Sequence, residues 1–97
     1  MVDRKDIIDS IANEIETHRQ RLDKLRVQAK LAENETRDAL QPEIERLEGE
    51  LSNAKDRLEK FRELSEDVMA EAKKGVDGAL SELKKGFDNA FQRLQQK

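Results

Sequence analysis

Apolar residues recur at alternating steps of three and four along nearly the whole chain, and that spacing decides what it can fold into. Ile8, Ile11, Ile15, His18, Leu22, Leu25, Ala29, Ala32 and Thr36 form one series; Ile44, Leu47, Leu51, Ala54, Leu58, Phe61 and Ser65 form another. Steps averaging 3.5 residues put a narrow stripe on one face of an α-helix, the pattern of a coiled-coil seam. Sheet folds are disfavoured because three Phe are the only aromatics and β-branched residues are scarce. Charged residues make up 42% of the 97 positions and apolar ones 35%, a balance that suits long helices with a thin buried seam rather than a broad core.

The expected elements follow from the breaks in this rhythm. Val2, Asp3, Asp6 and Ile7 read as a helix start, with Asp3 capping and Val2 packing on Ile7. Pro42 is the one proline. Inside a helix it costs about 3 kcal/mol, whereas at the first helical position it costs almost nothing. A turn at 39–41 is therefore expected, with a first helix over 3–39 and a second over 42–96; a single kinked helix is the alternative, because the stripe runs on through Leu40 and Ile44. The whole, 1–97, reads as one all-α domain. Its expected form is an antiparallel coiled-coil hairpin with a longer second helix, dimerising.

Past Val68 the rhythm changes. Glu71–Ser81 aligns without gaps on Glu82–Gln92, an eleven-residue repeat that follows the heptad stretch 44–68 and occupies 71–97. Eleven residues over three turns is about 3.67 per turn, which drifts right-handed where the heptads drift left. Ser65-Glu66-Asp67 is a helix-start signature, so a kink or break is expected in the region 65–78. Gly75, Gly78 and Gly86 each cost about 1 kcal/mol in a helix relative to Ala. Close approach by another helix or a lipid surface would explain them, and so would a frayed tail.

Net charge is −3 with the signs intermixed, not the basic stripe of a nucleic-acid binder. Cysteine is absent, which excludes disulfides and thiolate chemistry. No leader-like or membrane-spanning run is present, so a cytoplasmic location is expected. His18 is the sole histidine, with no second His or Cys to complete a metal site; it reads as a tolerated polar residue in the seam. Gly75-Val76-Asp77-Gly78 lacks the lysine and strand of a phosphate loop. No enzymatic activity, catalytic residue, metal or cofactor is expected.

A first helix of about 54 Å would cover only part of a second of about 80 Å. The repeat would then overhang, leaving Val76, Leu80, Leu83, Phe87, Phe91 and Leu94 as an interaction surface for a second copy or another helical protein. The alternative is an amphipathic lipid-surface helix. Its Lys-Lys-Gly-Val element resembles the eleven-residue repeats of synucleins and apolipoproteins, though Lys lies on one shoulder of the stripe only.

The tail is also similar to that of a family of small bacterial coiled-coil proteins associated with stress responses. The likeness rests on Ser65, Glu66, Asp67, Met69, Lys73, Gly75, Val76, Ala79, Leu80 and Leu83, repeated by Lys84, Gly86, Phe87, Ala90, Phe91 and Leu94. Where that pattern carries Trp, this chain has Met69, Leu80 and Phe91. The resemblance implies a bacterial cytosolic helical protein linked to stress, with no established mechanism and no catalytic residues.

Overall fold

The computed structural model describes residues 4–95; the start assigned to Val2 and Asp3 lies outside them. Three helices of nearly equal length form: α1 (Arg4–Leu31), α2 (Asn34–Arg62) and α3 (Glu66–Gln95), of 28, 29 and 30 residues. Each packs on both others. The molecule measures 50 × 19 × 16 Å, so helices of about 45 Å must lie side by side along its long axis.

Cross-helix contacts give the register. Arg4 donates to the Arg62 carbonyl and Arg26 pairs with Glu48 at 2.8 Å, so α2 partners fall in number as α1 residues rise. The same inverse order relates α2 to α3, with Glu43 on Arg93 at 3.1 Å and Arg57 reaching the Gly75 carbonyl at 3.4 Å. Between α1 and α3 the numbers rise together, from His18 on Phe87 to Lys24 on Phe91. The chain therefore doubles back at both connections.

The first reversal falls at Ala32–Glu33 and not at 39–41, and the first helix ends at Leu31 rather than 39. Past Leu25 the α1 stripe holds only Ala29, Ala32 and Thr36, too little apolar area to reward extending the helix. The Ala32 amide bonds back three residues to the Ala29 carbonyl at 3.2 Å, and Glu33 turns extended (φ −62, ψ 156) before α2 begins. Pro42 sits inside α2. It is tolerated because Asp38, Ala39, Gln41 and Pro42 are all exposed, so water reaches the backbone around the missing hydrogen bond while Leu40 and Ile44 stay buried in the stripe.

The single second helix expected over 42–96 is likewise two helices. The Glu63 and Leu64 amides bond back three residues to Lys60 and Phe61, and the Ser65 carbonyl accepts the Met69 amide at 2.9 Å, opening α3 beside the helix-start signature. With α2 and α3 matched in length there is no overhang, and the expected exposed ridge turns inward. Val76, Leu80, Leu83 and Phe87 are buried in the core, and Phe91 and Leu94 are half-buried against it. Burying Met69, Val76, Leu80, Leu83 and Phe87 contributes on the order of 10 kcal/mol of gross stabilisation. That gain outweighs the cost of breaking a helix at Glu63–Ser65.

Candidate functional site

The face on which α3 sits is built from three zones. Along α1, the imidazole of His18 stacks on Phe87 with ring centroids 5.6 Å apart and 11° between planes. One turn on, the Arg21 guanidinium lies 5.3 Å from the Phe87 centroid and 5.5 Å from that of Phe91, and it bonds Asp88 at 2.7 Å. The Lys24 ammonium stands 5.9 Å over Phe91. Cations over aromatic faces gain roughly 0.5–2 kcal/mol each, more where water is excluded. These contacts tie the last third of α3 to the middle of α1.

His18 is 3% exposed and neither ring nitrogen has a hydrogen-bond partner. Burial holds its pKa below the ordinary 6.5; Arg21 acts in the same sense, while Glu14 and Asp88 oppose it. The ring therefore serves as a flat apolar plate for Phe87, and protonating it would place a charge with no acceptor inside the bundle. The seam reading of His18 agrees with this position.

Along α2, Gly86 meets Leu47. A Cβ at Gly86 would lie 2.7 Å from Leu47 Cδ2, so the missing side chain is what lets the two helices approach. Gly75 and Gly78 have nothing within 4 Å of such a Cβ. Near the connection, the α2–α3 seam opens into a shallow crevice of about 200 Å³, lined by Arg57, Lys60, Phe61, Leu64, Ala72, Gly75 and Val76.

Of the six residues read from sequence as an interaction surface, Phe87 and Phe91 come together with His18, Arg21 and Lys24. Leu80 and Leu83 join the shared core, Leu94 packs at its margin, and Val76 reaches the crevice. The cationic α1 residues were not legible beforehand, because contacts spanning more than 60 positions leave no local trace. The connection at Glu63–Ser65 did leave one, in the signature Ser65-Glu66-Asp67.

Among the described residues no group of three or more His, Cys, Asp or Glu side chains could hold a metal ion, and no helix is long and apolar enough to cross a membrane. Comparison with protein-family models, with curated proteins and with solved structures gives no match.

Proposed function

We propose that the chain is a structural protein that works by helix-to-helix contact, in which α3 exchanges its seat on its own α1 and α2 for the same seat in a second copy. One observation carries this reading: Glu63-Leu64-Ser65 joins α2 to α3 without a helix breaker. It contains neither Gly nor Pro, no described residue has positive φ, and Glu63 is already right-handed helical (φ −86, ψ −9). Phe61, Leu64, Val68 and Ala72 continue the stripe across the connection at steps of three and four. Straightening it joins α2 and α3 into one helix and presents the stripe of α3 to the seat in another molecule. Such an exchange reuses contacts that exist in the closed form, so the balance is set by the connection itself.

Substitutions that change only helix propensity test the idea. Ser65→Ala should favour the straightened form and raise the dimer fraction measured by light scattering after chromatography. Glu63→Gly with Ser65→Gly should lower it. Glu63 is helical in both forms, so its Gly largely cancels, whereas Ser65 lies outside the helices of the closed chain; a Gly there costs about 1 kcal/mol per chain in the continuous helix, weakening the dimer by roughly 2 kcal/mol, near thirtyfold in Kd. Equal dimer fractions in the two variants would sink the proposal. Displacement of α3 by anionic vesicles, with no dimer at any concentration, would replace it with the lipid-surface reading.

A further inference from the structure

Among the described residues His18 is the one buried polar side chain, and Phe87 of α3 covers the face of its ring. Both ring nitrogens are buried without a partner. A neutral imidazole there leaves one donor and one acceptor unpaired; a protonated one leaves two donors and a charge. Stacking on Phe87 returns part of that cost, because a cation is drawn to a phenyl face, yet both N–H groups lie in the ring plane and still lack acceptors.

None of the charges around the ring supplies an acceptor. Burial weighs most against the charged form; Glu14 on α1 and Asp88 on α3 favour it, and Arg21 on α1 opposes it. Glu14 is exposed, and Asp88 is engaged by Arg21 at 2.7 Å. Arg21 and Lys24 already stand over Phe87 and Phe91 at 5.3 and 5.9 Å, so a charged His18 would be a third cation beside two rings. On α2 the antiparallel register sets Leu51 and Ala54 at this height, both buried. Of their charged neighbours, Glu50 pairs with Arg46 at 3.8 Å, and Lys55 and Asp56 are exposed.

Hydrating both nitrogens therefore requires His18 and Phe87 to part. Phe87 stands about six turns beyond the Glu63–Ser65 connection, so the far part of α3 can lift while α1 and α2 stay paired through their own buried stripes. We infer that acid unseats α3: protonation of His18 releases Phe87, and the far part of the helix opens from α1 while the α1–α2 pair stays closed. This goes beyond the exchange of α3 by giving the required opening a trigger, and it rests on that reading only for what the freed helix does next.

Backbone amide hydrogen exchange of the full chain, read residue by residue by NMR and corrected for the intrinsic effect of pH, tests it. The open state takes up the proton at the ordinary value of about 6.5, so opening is favoured as pH falls through that value and levels off once the seated ring is itself protonated. The opening constants of Leu83, Phe87 and Ala90 should rise by up to about tenfold between about pH 7.5 and about 5.5. Those of Leu47, Leu51 and Leu58 on α2 should stay smaller at every pH. His18→Gln keeps a polar group in the seat without a proton to take up; it should shift the α3 constants by one factor at all pH values and flatten their pH dependence. His18→Leu should flatten it too.

Opening constants of α3 that ignore pH overturn the inference, as does a rise that persists in His18→Gln. Equal constants on α2 and α3 overturn it as well, because the proton then unfolds the whole bundle. An imidazole Hε1 resonance that titrates while the α3 amides stay flat overturns it in favour of a ring that leaves the core alone. The seat is the same in the closed and exchanged forms, so the amide readout does not depend on which is populated. Absence of a dimer sinks the exchange alone, and flat opening constants sink the acid release alone.

Discussion

Gly75 and Gly86 hold equivalent places in the two copies of the repeat yet meet different surroundings. A methyl group at 86 would press on Leu47, which is fully buried and must displace core neighbours to yield; at 75 it would meet open space. Gly86→Ala should therefore destabilise the fold, because overpacking costs typically about 1–3 kcal/mol against a propensity gain of about 1 kcal/mol. Gly75→Ala should stabilise by about 0.5–1 kcal/mol. Urea unfolding of both variants checks the opposite signs, and two changes of the same sign would show that the Leu47 contact does not set the helix spacing. His18 gives a pH dependence. Its pKa is lowered on folding, so its contribution is fully present above the unfolded value of 6.5 and falls as pH drops from there toward the folded value. Stability should decline from pH 7.5 to 5.5 in the unmodified chain and decline less in His18→Leu, with denaturant midpoints as the readout. Equal declines would assign the loss to carboxylates.

The three stripes were legible in the sequence almost to the residue; their division into helices was not. The seam positions from Ile11 to Leu25 and from Ile44 to Phe61 are buried as their spacing implied, because a 3.5-residue period fixes a helix face whatever lies opposite. Helix ends obey a weaker rule. Proline marked a boundary by its intrinsic cost, yet Pro42 lies where the backbone is open to water and the buried stripe carries the helix past it. The actual end of α1 has no Gly or Pro and is set by the loss of apolar bulk after Leu25. The connection at Glu63–Ser65 carried a helix-start signature but no stop signal, so a continuous helix and a reversal were close in local energy. What decided between them is the seat offered by α1 and α2, including His18, Arg21 and Leu47, and that seat exists only in the folded bundle.

The same near-balance makes shape in solution informative. A closed chain is 50 Å long, whereas a helix running unbroken from 34 to 95 is about 93 Å. Exchange of α3 should therefore give a dimer with a maximum dimension near 90 Å that grows no further. It should also persist on dilution, because leaving it means withdrawing Leu80, Leu83 and Phe87 from a core in which each is nearly or wholly buried. Small-angle scattering across a dilution series tests this by combining mass with length. A slowly dissociating species of twice the mass and about 90 Å would support the exchange. A particle that stays near 50 Å at every concentration would leave the closed bundle as the sole form and remove the exchange.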